Sequence, residues 1–431
     1  MRQIPWVFAI GLLGEVFAGA PAQADDAVNA KPAKSVGSKP VPTKSEKPGP
    51  AKVEQAPPVI HEFIDDAKEL LVVGACAEGT STKVKPELVV AHCKTVHAAQ
   101  DEYKKSWLGV ATEFFKTHVP AGLSKTVVYP FAGGDLSTAL TVYPDADEIT
   151  TLALEPAGDA RALSRLTEPQ ITASLATVAT ELGALYSSNF SKTMNMITAM
   201  RSGELPTQLI FSLSALYLHR YEPVSLRYFK LDSAGDVVYL TDADLKRIDL
   251  VKNPDAHNRA LGSVELKFRK IGSKREQVYR HIMANLDDAH LKESPAPLRH
   301  LQKKGHVAGM TKAASYLLSF NDFSVIRRYV IDHIDWMASD TTGVPPSYGI
   351  PAGFEYETWG EWQSSNMAAG NGSVRATWKA LFSAQPKREL AFRFGYPNGA
   401  GTGHLVFMRR APKPAAPAAP AAPSSANPKS K

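Results

Sequence analysis

Residues 126–158 read TVVYPFAGGDLSTALTVYPDADEITTLALEPAG, and this stretch decides the fold class. Thr126–Phe131 is a short β-branched and aromatic run, Asp135–Tyr143 suits a short helix, and Ile149–Leu154 is a second apolar run. A strand–helix–strand unit of about 30 residues predicts parallel strands joined by a crossover helix. The sequence therefore predicts an α/β fold with a mixed sheet, a Rossmann-like β-α-β unit and helices on both faces.

The segments around this unit alternate between helical and strand-like patterns. Helical periodicity is predicted for residues 86–119, 163–200, 206–218, 311–319 and 323–337. Strand periodicity is predicted for residues 225–231, 237–241, 263–271, 390–396 and 404–410, of which the last two form a predicted hairpin. Residues 277–285 suit either a strand or a helix, and residues 340–372 form a predicted loop. No internal repeat or boundary divides residues 60–408, so we expect one compact domain.

The N-terminus predicts export. Residues 1–24 combine Arg2, an apolar stretch and the small-residue end Ala22-Gln23-Ala24, which is typical of a cleaved signal peptide. The apolar stretch is shorter than the roughly 20 residues that a membrane-spanning helix needs, and later stretches are no better suited. We therefore expect a periplasmic or secreted protein without a transmembrane segment after cleavage.

The charge is concentrated at the two ends of the chain. The formal charge is +6, but residues 1–59 hold seven basic and five acidic groups, and residues 409–431 hold five basic groups and no acidic one. The Lys, Pro and Ser tract at 25–59 and the Ala- and Pro-rich tail at 409–431 lack the large apolar residues that folding requires, so both are predicted to be disordered. The near-neutral body excludes nucleic acid as an expected partner. The basic tails suit either contact with anionic envelope components or simple solvation.

Cys76 and Cys93 are the only cysteines, and an even pair in an exported chain favours a disulfide. His92 and His97 lie nearby, but the spacing of these four side chains does not match the usual zinc patterns. No metal site is predicted.

Gly133, Gly134 and Asp135 follow the first predicted strand of the β-α-β unit, and Glu155 follows the second. The carboxyl ends of parallel strands face the crevice where open α/β sheets bind ligands, so these four residues form the predicted ligand site. The alternative is that the glycines only turn the chain and that Asp135 caps a helix.

The same loop resembles that of Rossmann-like nucleotide or S-adenosylmethionine binders. It lacks a full G-x-G-x-x-G pattern, and Pro130 and Phe131 stand where small residues are usual. Soluble cofactors are expected to be scarce in an exported location. No cofactor is therefore predicted, and a nucleotide or S-adenosylmethionine site is the least favoured alternative.

Five segments carry a second resemblance: Tyr129–Asp135, Leu154–Pro156, Lys312–Leu317, Phe323–Arg327 and Asp340–Pro345. Their motifs, YPFxGxD, LEP, KxASYL and DxxGxP among them, are similar to those of a group of exported bacterial proteins with no assigned activity. The resemblance implies a shared fold and an exported location, and no catalytic role can be transferred from it.

Two functions remain open. The first is an envelope protein that binds a saccharide or another small ligand, or an envelope polymer, at the ends of strands 126–131 and 149–154. The second is a cofactor-independent hydrolase that uses paired carboxylates from Asp135, Glu155 and Asp340, the last of which begins the predicted aromatic loop. The sequence leaves open whether the protein is an enzyme.

Overall fold

The structure is a computed structural model that describes residues 59–188, 205–362, 372–395 and 403–411. These residues belong to one unit that spans Pro57–Lys431. The described strands are β1 Thr126–Pro130, β2 Glu148–Ala153, β3 Tyr221–Leu231, β4 Val237–Tyr239, β5 Val264–Lys270, β6 Glu276–Met283, β7 Val307–Thr311, β8 Ile334–Ser339, β9 Phe354–Gly360 and β10 His404–Arg410. Residues 1–24 and most of the two predicted tails lie outside the described residues.

The ten strands form one mixed sheet in the order β4-β3-β5-β6-β2-β1-β7-β8-β10-β9. The five central strands, from β6 to β8 in this order, run parallel to one another. The strands on either side of them pair in the antiparallel sense. The predicted mixed α/β fold is therefore confirmed, and β1 and β2 are the parallel pair that residues 126–158 predicted.

Helices cover both faces of the sheet. The described α-helices are α1 Ile64–Val73, α2 Pro86–Tyr103, α3 Gly109–His118, α4 Leu136–Val142, α5 Glu168–Ser188, α6 Thr207–Leu218, α7 Asp242–Ile248, α8 Pro254–Ala260, α9 Asp288–Glu293, α10 Ala296–Gln302, α11 Ser324–His333, α12 Pro346–Gly349 and α13 Gly372–Ala384. A π-helical turn, Lys104–Leu108, joins α2 to α3, and 3₁₀ turns lie at Ala160–Ser164, Ala313–Ser319 and Asn321–Phe323.

The alternation of side chains along β1 shows how the two faces are filled. Val127 and Tyr129 belong to the larger apolar core, which α1 to α6 cover, and Val128 belongs to the second core, which α11 and α13 cover. Successive strand residues point to opposite faces, so a strand buried on both sides must be apolar at every position. This explains why residues 126–131 read as a continuous apolar run.

Two predictions of secondary structure were wrong in the C-terminal part of the chain, at residues 323–372. The predicted helix at 323–337 ends at His333, and Ile334–Ser339 is the buried strand β8. The predicted loop at 340–372 contains β9, which pairs with β10. Short apolar runs fit either a buried strand or a helix, which explains the first error.

The predicted hairpin of residues 390–396 with 404–410 is also wrong for the described residues. Residues 390–395 contain no strand, and β10 pairs instead with β8 and β9. In β9 aromatic and charged side chains alternate as in a strand, but the Gly and Pro residues that flank this segment are typical of loops.

The predicted disulfide between Cys76 and Cys93 is present, and it joins the segment after α1 to the middle of α2. His97 Nε2 lies 2.8 Å from the carbonyl oxygen of Cys76, and His92 Nε2 lies 3.1 Å from that of Gly74. These contacts hold the turn between the two helices. Within the described ranges, the helices lack the combination of length and apolar character needed to cross a bilayer.

Candidate functional site

The order of the central strands creates a topological switch point. β2 lies on one side of β1 and β7 lies on the other, so the loops that follow β1 and β7 leave the sheet in opposite directions. In open α/β sheets such a point is where ligands bind, outside the carboxyl ends of the strands. The chain places Asp135 after β1, Lys312 after β7 and Asp340 after β8, all at this edge.

Asp135 accepts three hydrogen bonds from two residues, Thr138 and Tyr129, besides its contact with Lys312. Its carboxylate caps α4 by accepting a hydrogen bond from the backbone N–H of Thr138, at 3.4 Å, and another from Thr138 Oγ1, at 2.7 Å. Tyr129 donates a hydrogen bond to Oδ2 from 3.0 Å. The side chain of Asp135 is almost fully buried. The sequence alternative, that Asp135 caps a helix, is therefore confirmed.

Lys312 carries the positive charge that compensates the buried carboxylate of Asp135. Its Nζ lies 2.5 Å from Asp135 Oδ2 and donates a hydrogen bond to Thr138 Oγ1 from 2.8 Å, and the side chain is completely buried. Burial lowers the pKa of Lys312, while the carboxylates of Asp135 and Asp340 act in the opposite direction. Sequence reasoning did not assign a role to Lys312, although a lysine directly after a fully buried strand is itself a signal of a buried ion pair.

Asp340 lies near this lysine and is hydrogen-bonded to the residue that follows it. Its Oδ2 accepts a hydrogen bond from the backbone N–H of Ala313 at 3.1 Å, and its Oδ1 accepts one from the backbone N–H of Thr342 at 2.8 Å. The hydroxyl of Thr342 also donates to Oδ1. The carboxylate is fully buried, so backbone donors replace the water that an ionised acid would otherwise bind.

The backbone is strained at two points of this edge. Phe131, directly after β1, has φ 60°, and Ala313, directly after Lys312, has φ 56°. Residues other than glycine rarely adopt such angles, and when they do the surrounding structure must hold them in place. Ala313 is held by its hydrogen bond to Asp340, and the ring of Phe131 meets that of Phe323 edge to face at 5.9 Å.

The double glycine is explained by packing against α6. Gly133 has φ 54°, which suits glycine. A Cβ added to Gly134 would clash with the ring of Phe211 in α6, which occupies the space where a side chain at position 134 would lie. The glycines therefore allow α6 to approach the loop, and their binding role stays a prediction.

Gly133 and Glu155 are linked through two buried side chains. Gln208 Nε2 donates to the carbonyl oxygen of Gly133 at 3.0 Å and lies 3.3 Å from His281 Nδ1. His281 Nε2 donates to the carbonyl oxygen of Glu155 at 2.7 Å. Burial lowers the pKa of His281 to about 4, so the ring is neutral at pH 7. Glu155 is itself buried.

The sequence-predicted acids are thus divided between two places. Asp135 pairs with Lys312, Asp340 accepts a hydrogen bond from the adjacent Ala313, and the carbonyl oxygen of Glu155 contacts His281. All three carboxyl groups are at most 3% exposed as residues, so in this conformation none faces an open cleft. Their catalytic roles remain predictions.

An open cavity of about 480 Å³ lies next to this edge, and we call it the aromatic groove. Its walls come from the π-helical turn with the adjoining end of α2, from the C-terminal part of α5, and from the segment before β10. The lining residues are Ala99, Glu102, Tyr103, Ser106, Trp107, Gly183, Tyr186, Ser187, Leu390, Ala391, Phe392, Arg393 and Gly403. Sequence reasoning placed Tyr103 and Trp107 on a helix and did not foresee the groove.

Buried rings form the floor of the aromatic groove. Tyr103 and Trp107 stack with their centroids 5.2 Å apart, and Phe392 meets Trp107 edge to face at 5.9 Å. Tyr186 also contacts Tyr103, at 4.9 Å. Glu102, Ser106, Ser187 and Arg393 are exposed at the rim, a list that includes both charge signs and two hydroxyls.

Hydrogen bonds connect the groove to the carboxyl edge of the sheet. The hydroxyl of Tyr103 lies 3.2 Å from Ser137 Oγ, in the first turn of α4 and two residues after Asp135. Trp107 Nε1 donates to the carbonyl oxygen of Arg393 at 2.5 Å. The groove and the Lys312 ion pair are therefore neighbouring parts of one region.

Cys76, His92 and Cys93 bring potential metal-binding atoms close together in the described part of the chain. The two sulfurs are bonded to each other, so they are not available as thiolate ligands. No protein-family model, curated protein or solved structure matches this chain.

Proposed function

We propose that the protein is an exported envelope protein that binds a saccharide, or a polar ligand of similar size, in the aromatic groove. The observation that carries the proposal is the groove itself, a cavity of about 480 Å³ floored by stacked rings with polar groups at its rim. Ligand sites are typically cavities of about 300–1,000 Å³ with an apolar lining and a few polar groups.

The chemistry of the lining favours a ring with hydroxyl groups. A pyranose presents C–H groups on its faces, which can pack on the apolar part of the lining that remains accessible, Leu390 and Ala391, and it presents hydroxyls at its edge. Those hydroxyls can donate to Glu102 and accept from Arg393, and they match Ser106 in hydrogen-bonding capacity. The opposite charges of Glu102 and Arg393 favour a ligand without a large net charge of its own.

The π-helical turn supports a binding role for the same surface. Lys104–Leu108 interrupts an otherwise continuous helical segment from Pro86 to His118, and it contributes Ser106 and Trp107 to the groove. π-helical turns are rare and occur frequently at functional sites. A π-helical turn is less stable than regular α-helix, so its presence is consistent with selection for the positions that it gives to Ser106 and Trp107.

The hydrolase alternative receives less support. Asp135 and Asp340 both lie near Lys312, yet each carboxylate is occupied by several donors and is buried. A pair of glycosidase acids needs room between the carboxyl groups for the sugar and, in inverting enzymes, for a water molecule. We therefore base the proposal on the groove and not on these acids.

Gly183 provides a direct test of the groove. A Cβ added at this position meets no heavy atom within 4 Å, so Gly183→Leu extends a side chain into the cavity without a clash at its base. Gly183→Ala is the matched control because it makes the same backbone change with little loss of space. Thermal unfolding of wild type and both variants is measured with glucose, N-acetylglucosamine, its β-1,4-linked dimer, and AMP.

We expect at least one saccharide to raise the melting temperature of wild type and of Gly183→Ala, since a ligand that binds only the native state stabilises it by mass action. Gly183→Leu should lose most of that shift. An equal shift in Gly183→Leu would locate the binding elsewhere. A shift with AMP and with no saccharide would contradict the proposed ligand class.

A further inference from the structure

Residues 390–395, which we call the strap, cover the Lys312 ion pair. Phe394 is fully buried, and its ring centroid lies 5.4 Å from Lys312 Nζ. Gly395 has φ 69°, and a Cβ added to it would lie 1.8 Å from Asp340 Oδ2. The strap thus fills the space at the switch point in which open α/β sheets bind ligands.

The strap is held by ring packing and by hydrogen bonds to the helical layer. Phe392 and Phe394 pack on Phe115 of α3. Trp107 Nε1 donates to the carbonyl oxygen of Arg393, and Arg393 Nη1 donates to the carbonyl oxygen of Ser187 at 3.3 Å. The strap itself contains no helix or strand. Segments without regular hydrogen bonding open at lower free energy than the strands they cover.

We propose that the strap opens as a local unit and uncovers the Lys312, Asp135 and Asp340 cluster while the sheet stays folded. The strap also supplies Phe392 and Arg393 to the aromatic groove, so its position determines both the shape of the groove and access to the buried cluster. The strap can open in this way whether or not the groove binds a saccharide, because the opening requires only the motion of residues 390–395.

Acetylation of lysine amines measures the opening. Lys312 is completely buried, so N-hydroxysuccinimidyl acetate reaches it only when the strap moves or the protein unfolds. Lys304 is the internal reference, since its side chain is 8% exposed, it pairs with Glu148, and it lies far from the strap in the chain. The rates at both lysines are followed by mass spectrometry of the full chain at increasing urea below the unfolding transition.

In wild type we expect the acetylation of Lys312 to depend less on urea than global unfolding does, because opening the strap exposes Phe392 and Phe394 but leaves the sheet buried. The proposal is overturned if the rate at Lys312 has the full urea dependence of global unfolding, measured by circular dichroism on the same samples. This comparison needs no variant, so it remains valid if a variant fails to fold.

Two matched tryptophan variants test the attachment. Trp107→Phe removes the hydrogen bond to the strap, whereas Trp378→Phe makes the same change at a buried tryptophan whose Nε1 has no hydrogen-bond partner among the described residues. Loss of one hydrogen bond should raise the rate at Lys312 about fivefold in Trp107→Phe, with Lys304 unchanged. Equal ratios of Lys312 to Lys304 acetylation in both variants would refute the attachment and with it the strap.

Discussion

Lys312 Nζ lies 2.5 Å from Asp135 Oδ2, and their side chains are 0% and 4% exposed. The two residues follow β7 and β1, neighbouring parallel strands whose sequences are far apart. The pair therefore joins the two loops that leave the sheet in opposite directions at the switch point. Replacing such a pair with apolar groups often costs little, but removing one partner leaves a buried charge without compensation.

Lys312→Met is therefore expected to destabilise the protein by about 3–5 kcal/mol, and Asp135→Asn by a similar amount. Asparagine can still cap α4, so the stability lost in Asp135→Asn measures the effect of removing the charge and not of removing the helix cap. The double variant should recover part of the loss. Urea unfolding of the four proteins measures the coupling, and strictly additive losses would show that the two charges do not stabilise each other.

The fold was predictable where the signal is local. Thr126–Phe131 and Ile149–Leu154 are short apolar runs, and Gly133, Gly134 and Asp135 lie between them. Glycine is typical of the turn that ends a strand, and aspartate is typical of the residue that caps the start of a helix. β8 was missed because Trp336, Met337 and Ala338 continue the apolar pattern of α11, and a buried strand without polar alternation looks the same as a buried helix turn.

The individual acids of the candidate site were predictable from the sequence, but their arrangement around Lys312 was not. Asp135 and Asp340 were identified from their loops, but their meeting at Lys312 depends on β7 lying between β1 and β8, which is set by long-range pairing. The aromatic groove depends on contacts between residues that are even farther apart in sequence, since Trp107 donates a hydrogen bond to Arg393, 286 positions along the chain. No periodicity in a single sequence encodes such contacts.

Two glycine-to-alanine substitutions should have opposite effects on stability. Gly183 lies inside α5 with open space around its Cα, so Gly183→Ala should stabilise by about 0.4–1 kcal/mol through helix propensity and a less flexible unfolded chain. Gly134→Ala should destabilise by about 1–3 kcal/mol, because the added methyl meets the ring of Phe211. Urea unfolding decides both signs, and a stable Gly134→Ala protein would contradict the packing role of that glycine.

Buried histidines should make the protein sensitive to mild acid. Burial lowers the pKa of His281, and likewise of His219 and His300, to about 4, compared with 6.5 for an unfolded histidine. Between these values the unfolded state binds a proton that the native state does not. Stability is therefore fully present above pH 6.5 and decreases as the pH falls towards 4, by about 1.4 kcal/mol per pH unit for each such group.

His281→Gln tests this slope at one position, since glutamine can still donate to the carbonyl oxygen of Glu155 but does not titrate. The variant should lose about 1.4 kcal/mol per pH unit of the dependence between pH 6.5 and 4. His306→Gln is the control, because it makes the same substitution at a ring that is largely exposed. Urea unfolding at several pH values measures the slopes, and identical slopes in wild type and His281→Gln would rule out a contribution from this ring.

The disulfide should stabilise the helical layer over the larger core. Cys76 and Cys93 are separated by 17 positions, and closing a loop of that length contributes about 3 kcal/mol in the chain-entropy model. Cys76→Ala combined with Cys93→Ala should lower the free energy of unfolding by that amount. Both sulfurs are buried against apolar side chains, so alanine is preferable to serine at these positions.

Reduction of the wild-type protein provides an independent check of the same quantity. Urea unfolding with a reducing agent should bring wild type close to the double alanine variant, and the agent should leave the variant unchanged. Because α2 leads directly into the π-helical turn, a bridge that only restricts the unfolded chain should leave ligand binding in the groove unaltered by reduction. A loss of binding in a reduced but folded protein would instead mean that the bridge also positions Tyr103 and Trp107.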